Sequence, residues 1–226
     1  MRCRLAIVVA LLCLAGCSAQ QIRPTPVQPV ETSGFLDDYS SLRPGAAGDV
    51  LLVYRNPDAN WAAYDKVLLE PVTLWRSGKN SLSAVPEADL LRLANDFEAA
   101  VRRRLGQGYP VVDQPGPGVL LVRLGITEAR ASDPILDVLT ASGAALEPSA
   151  QTQGDGPLSP EVQQFVERAA IEGELRDSVT HALLAQGVDR RRSGAPPIAT
   201  WADLDQLLAL WADRTCSKLE ARTRGS

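Results

Sequence analysis

Residues 86–105, PEADLLRLANDFEAAVRRRL, constrain the fold most strongly. Leu90, Leu93, Phe97, Val101 and Leu105 recur at spacings of three and four, so a helix lines them up in one stripe. A helix that is apolar along one side has to set that side against another element. Pro86 suits the first turn. Glu87 and Asp89 near the start and Arg102, Arg103 and Arg104 near the end complement the helix dipole. Gly106 is placed to stop the helix. A second helix is predicted from Thr200 to about Ala221. Thr200 with Asp203 forms its capping box, and Leu204, Leu207, Leu208, Trp211 and Leu219 form its apolar side.

The segments between these helices read as strands. YDKVLLEPVTLW (64–75) is apolar and of strand length, but Pro71 interrupts the ladder and predicts a bulge or an edge position. Tyr109 to Val112 is a short strand. Gln114 to Gly118 is a turn, and Val119 to Thr127 is a second strand. From Ala170 to Arg192 the pattern is a hairpin. Ile171, Gly173 and Leu175 alternate with Glu172, Glu174 and Arg176, the signature of a half-buried strand. Asp177 to His181 is its turn, and Leu184, Gln186, Val188 and Arg190 return. Residues 130–160 lose periodicity and read as a mobile insertion, with room for a short helix around Ile135 to Leu139.

The expected architecture is therefore α+β. It is a two-layer sandwich of one mixed sheet, about four to five strands, with two main helices on one face. Residues 35–226 form its single domain.

The N-terminus gives an address. Arg2 and Arg4 precede an uncharged run from Leu5 to Gly16. That run is shorter than the ~20 residues a membrane-spanning helix needs, so it reads as a secretory signal. Its end, Leu14-Ala15-Gly16-Cys17, resembles the bacterial lipobox. The resemblance implies cleavage between Gly16 and Cys17 and lipid on the Cys17 thiol. Two or three acyl chains on one residue anchor a protein stably, whereas one holds only marginally. In chains with this signal an Asp after the cysteine implies inner-membrane retention. Ser18 stands there, which implies the outer membrane, with the domain on its periplasmic side. Residues 17–34 carry Pro24, Pro26 and Pro29 and read as a tether.

Cys3 and Cys13 leave with the signal and Cys17 is lipidated, so Cys216 is left without a partner in the chain. An odd cysteine in an exported protein raises an intermolecular bridge or a reactive thiol. The favoured reading is a small buried hydrophobe on the last helix.

Little in the sequence points to chemistry. His181 is the single histidine and falls in a turn. Neither His nor Cys is plentiful enough for a metal site, and no nucleophile elbow, phosphate loop or dinucleotide fingerprint is present. The PGPG turn lacks the successive N–H groups that a phosphate loop needs. A net charge of −4, more negative once Arg2 and Arg4 are removed, argues against nucleic acid as a partner. The expectation is no catalysis, no cofactor and no metal.

Several stretches together resemble the bacterial lipoproteins grouped as domain of unknown function 3313. They are GFLDDYSSLRP (34–44), NPDANWAAYDKVLLEPVTLW (56–75), VVDQPGPGVLLVRLGITEA (111–129), IEGELRDSVTHALLAQGVDRR (171–191) and WADLDQLLALWADR (201–214). The resemblance covers nearly the whole mature chain. It implies an envelope lipoprotein and supplies no catalytic residues. In such proteins the hairpin turn often reads D-x-x-T-G, and here His181 stands at the glycine position.

Two functions follow as expectations. The first is an interaction or assembly module, with an envelope protein partner recruited at an exposed sheet edge. Its candidate surface is the hairpin end, Arg190, Arg191 and Arg192. The alternative is a binding module for a small molecule, lipid or glycan, kept open by Trp61, Trp75, Trp201 and Trp211.

Overall fold

Leu90, Leu93, Phe97, Val101 and Leu105 are all buried, as the stripe demands, on helix α1 (Glu87–Leu105). The computed structural model describes residues 32–46, 49–77, 84–128, 136–140, 156–190 and 197–224. The helix begins after Pro86 and ends before Gly106, which stays right-handed at φ −61°. The chain therefore leaves α1 without the left-handed turn that a glycine permits. The last helix, α3 (Trp201–Arg224), starts from the expected capping box. Asp203 N–H donates to Thr200 Oγ1 at 3.1 Å, and Thr200 N–H donates to the Asp203 carboxylate at 3.0 Å. The Thr200 hydroxyl also donates to that carboxylate, at 2.8 Å, and together with the N–H groups of Ala199 and Thr200 it holds the Asp203 carboxyl below its usual range. The two helices meet through Phe97 and Trp211, edge to face at 6.5 Å. Arg104 joins them at the surface, donating to Glu220 at 2.6 Å and Asp213 at 2.9 Å.

The strands are β1 (Arg43–Pro44), β2 (Leu52–Arg55), β3 (Lys66–Leu69), β4 (Thr73–Ser77), β5 (Val119–Glu128), β6 (Leu136–Thr140), β7 (Ala169–Asp177) and β8 (Leu183–Arg190). A short helix, α2 (Pro160–Arg168), precedes β7. The sheet runs β1-β2-β8-β7-β5-β4-β6, with β3 also pairing β5. It is mixed: β3 and β4 run parallel to β5, and the other pairs are antiparallel. The chain is thus α+β, with more strands than the four to five expected. β4, α1 and β5 supply the crossover that a parallel pair requires.

Pro71 acts as expected. Leu69 pairs with Val122 and Thr73 with Gly125, so the chain around Pro71 spends one more residue than β5 does. The proline falls in that bulge. Its neighbours find other partners: Glu70 N–H donates to Val122 O at 2.9 Å, and Val72 N–H to the Glu98 carboxylate at 3.2 Å.

Three expectations need correction. The hairpin β7–β8 is not an edge, because β2 pairs along β8 from Ala185 to Val188. Residues 136–140 form a strand against β4 rather than a helix, so that part of the 130–160 insertion belongs to the sheet; 130–135 and 141–155 lie outside the described residues. Glu172 and Glu174 do not face solvent. They are 2% and 1% exposed, because the segment from Ser33 to Leu42 crosses that side of the sheet.

Two buried regions result. Leu120, Val122, Leu124 and Ile126 of β5 belong to one cluster with the apolar residues of α1, α2 and α3. On the other side, Phe35 lies against Gly125, where an added Cβ would come within 2.6 Å of its ring. Phe35 also meets Trp75 edge to face at 5.5 Å, with the Arg123 guanidinium 4.5 Å over its ring.

Candidate functional site

The register places one row of residues across four strands: Leu124, Gly173, Gly187 and Val53. Two glycines side by side leave the middle of that row without side chains. The neighbours lean in over them. A Cβ on Gly173 would meet Leu124 Cδ2 at 2.7 Å, and one on Gly187 would meet Val50 Cγ2 at 3.1 Å. α3 passes above with Trp211, Thr215, Lys218 and Arg222, whose spacings of four, three and four put them along one side of the helix. Between α3 and strands β7, β8 and β2 lies an open groove of about 80 Å³. Its walls include Val53, Ile171, Leu175 and Ala185, and they are mainly apolar.

The mouth of the groove is charged. The Asp49 carboxylate accepts from Lys218 Nζ at 2.5 Å and from Arg55 at 2.8 Å, and its side chain is 8% exposed. Those two donors hold its carboxyl down to about 2. Asp189 accepts from Arg214 at 2.6 Å. The Arg222 guanidinium sits 5.6 Å over the Trp61 ring. Burial lowers its proton affinity, and the charge of Arg55 adds to that.

On the opposite side of the sheet a second polar cluster fastens the segment from Ser33 to Leu42. Tyr39 Oη donates to Glu172 at 2.5 Å and accepts from the N–H groups of Gly34 and Leu36, each at 3.1 Å. Thr127 also donates to Glu172, at 2.9 Å. Glu174 accepts from Arg123 at 3.2 Å and from Arg176 at 3.0 Å. Gln186 donates to the Asp38 carbonyl at 2.6 Å and to Ser41 at 3.0 Å. Burial and the Glu172 charge push the Tyr39 phenol up to about 12. These groups are occupied with one another, and they fasten the segment to the sheet.

The residues singled out from the sequence do not converge. Gly16, Cys17, Arg191 and Arg192 lie outside the described residues. Arg190 ends β8, half-buried and in register with Ala170. His181 is exposed in the hairpin turn at φ +58°. Its N–H donates to Asp177 O and its carbonyl accepts from Arg176. Cys216 is fully buried, and burial pushes its thiol up to about 12. Trp201 and Trp211 are buried, while Trp61 and Trp75 are half-buried. Among the described residues, no group of three or more His, Cys, Asp or Glu is placed to hold a metal ion. None of the described helices is long and apolar enough to cross a membrane. The groove itself was missed. Its signal was the pair Gly173 and Gly187, one in each strand of a recognised hairpin.

With this geometry in place, comparison adds one identification. The chain belongs to the DUF3313 family, described as a protein of unknown function, which matches residues 31–215. No curated protein matches the chain. Among solved structures, a PelC variant from Paraburkholderia phytofirmans, determined as a dodecamer, is 15% identical. That match covers 76% of this chain and 97% of the other with a TM-score of 0.33, too low to carry any argument.

Proposed function

We propose that this protein is a non-catalytic binding module of the bacterial envelope, held at the periplasmic face of the outer membrane by lipid on Cys17. Its ligand enters the groove between α3 and strands β7, β8 and β2. In this reading the helices form one layer over the sheet, and the groove is the place where that layer does not close. The observation that carries it is the Gly173–Gly187 pair beneath Thr215 and Lys218, which leaves an apolar recess with a charged mouth. Concave apolar sites with a few placed polar groups are the usual form of small-ligand sites. The anchor rests on Leu14-Ala15-Gly16-Cys17 closing a charged and apolar leader.

The test pairs two measurements on the full chain expressed in a bacterial host. Clickable palmitate should label the native protein and co-sediment with outer membranes, and Cys17→Ala should remove both. A Thr215→Cys thiol should react more slowly in envelopes than in purified, dialysed protein, while Leu210→Cys, at an exposed position, should react equally in both. Equal protection at the two positions would count against the groove.

A second reading, assembly with an envelope protein partner, has its own observation. β1 pairs only with Leu52 and Val53, so Tyr54 and Arg55 have no described strand on their outer side, and Leu51 beside them is exposed. An exposed edge invites strand addition. A photocrosslinker at Leu51 that captured an envelope protein would favour this reading.

A further inference from the structure

We infer that the groove takes a free, uncharged, short aliphatic compound with one carbonyl oxygen (a ketone, ester or amide), held by the Thr215 hydroxyl and the Trp211 indole N–H. The inference rests on the groove reading given above.

The carbonyl follows from the hydrogen bonds of α3. The helix carries three hydroxyls. Thr223 Oγ1 donates back to Leu219 O at 3.3 Å, the usual way a helical threonine satisfies itself. Ser217 Oγ donates to Asp213 at 3.3 Å and accepts from Arg104 at 3.1 Å. Thr215 is half-buried on the groove wall. Its hydroxyl makes no hydrogen bond among the described residues, not even to Trp211 O one turn back. Trp211 is 4% exposed, and its indole N–H has no acceptor among the described residues either. That N–H is not sealed in the core, and the groove is the open space that Trp211 borders. Residues four apart on a helix are neighbours on one side. One carbonyl oxygen, with two lone pairs, matches this pair of donors.

The aliphatic part follows from the walls and the floor. Val53, Ile171, Leu175 and Ala185 border the groove, and moving a hydrocarbon from water onto them is favourable. β8 is flanked by β7 and β2, so the peptide groups of the floor are spent in ladders. A peptide laid there would bury N–H groups without backbone acceptors, which is costly. The recess of about 80 Å³ suits a short chain.

The lack of charge follows from the ion pairs around the groove. Asp49 accepts from Lys218 and Arg55, Asp189 from Arg214, and Glu174 from Arg123 and Arg176. Arg222 is engaged as well, its guanidinium over the Trp61 ring. An ionic head would have to break such a pair or lose its water without a counter-ion, and both are costly. An uncharged carbonyl disturbs none of them.

The experiment uses the full chain with isotope-labelled tryptophan in phosphatidylcholine nanodiscs, with empty nanodiscs as blank. The probes are methyl propyl ketone, its alkene isostere with methylene in place of oxygen, pentanoate and pentylammonium. In saturation-transfer NMR the ketone should bind saturably. It should also shift one indole N–H resonance, the one missing from Trp211→Phe. The alkene should bind without that shift, and the two ions should bind about tenfold or more weakly than the ketone, the cost of burying an unmatched charge. Thr215→Val keeps the shape of the side chain and removes its hydroxyl. It should weaken the ketone about tenfold, the loss expected when a buried acceptor is left unpaired, and leave the alkene unchanged. Thr215→Trp should abolish binding of every probe, and Thr215→Leu takes its place if circular dichroism shows the larger side chain to unfold the protein. Equal ketone affinity in native and Thr215→Val protein, pentanoate bound as tightly as the ketone, or no saturable ketone binding in any lipid would overturn the inference and leave the groove reading standing. Unchanged binding of the probes in the folded, filled variant would overturn both. Ketone binding that appears only in nanodiscs of ether-linked phosphatidylcholine, which lacks ester carbonyls, would assign the groove to membrane lipid and overturn the free-ligand inference.

Discussion

Tyr39 and Glu172, 133 positions apart, are joined by a 2.5 Å hydrogen bond that pins the segment following Thr32 across the sheet. Glu172 is 2% exposed, so its carboxylate depends on Tyr39 and Thr127 for hydrogen bonds. Tyr39→Phe removes one donor to Glu172 and leaves the N–H groups of Gly34 and Leu36 without the hydroxyl that accepts from them. It should cost about 2 kcal/mol in urea unfolding, since an unsatisfied buried group bears its full desolvation penalty. Thr127→Val should cost less, because Tyr39 makes three further contacts that survive.

The same phenol sets an alkaline limit. Its proton affinity is raised in the fold, to about 12 from an ordinary value near 10. Between about pH 10 and 12 the folded chain therefore keeps a proton that the unfolded chain has lost, and stability falls as pH rises through that window. Tyr64, donating to Asp177 at 3.0 Å and pushed up to about 12, behaves in the same way. Chemical denaturation between pH 9 and 11.5 should show this loss, with a shallower slope in Tyr39→Phe, a range set by the ordinary phenol value of about 10.

Asp49 acts at the other end. Its carboxyl is lowered to about 2 by Lys218 and Arg55. Its contribution is present above the ordinary carboxylate value of about 4 and is lost as pH falls toward 2. Asp49→Asn should flatten the stability profile over that interval while leaving the neutral-pH fold intact by circular dichroism.

His181 holds a left-handed backbone at φ +58° in the hairpin turn. Such a conformation costs a side-chain-bearing residue about 1 kcal/mol, and glycine adopts it freely. Both of its hydrogen bonds use the backbone, so His181→Gly keeps them. That variant should raise the thermal midpoint, and β-branched His181→Val should lower it.

Cys216 is fully exposed to packing and not to solvent, at 0% accessibility beside the α1–α3 contact. A thiol pushed up to about 12 by burial is protonated at neutral pH and reacts slowly. Labelling of the folded chain should be slow and become fast in denaturant. A dimer lost on reduction would contradict this.

The long helices were legible because Leu90 to Leu105 and Leu204 to Leu219 repeat a one-sided pattern over many turns. α2 was not, because it is short and follows a turn-rich run. Its signal was Ser159 capping Val162 N–H, Pro160 next, then Val162, Phe165 and Val166 facing inward. Glu172 and Glu174 misled in a physical way. Alternation puts polar residues on the side opposite the helices, and nothing local tells that Phe35, Leu36 and Tyr39 cover that side. β2 escaped notice for the same reason: only its pairing with β8, a long-range event, takes the hairpin away from the edge. The groove depends on register across four strands, which no single segment encodes.

The central claim is that the protein works by holding a small ligand under α3. Native mass spectrometry of the full-length lipidated protein, released gently from envelopes, tests it most directly. The account predicts a non-covalent adduct of small-molecule mass that survives in Leu210→Trp, whose site is exposed, and disappears in Thr215→Trp, which fills the groove. An adduct retained equally by both folded variants, or a bare chain in native and variant proteins alike, would contradict it.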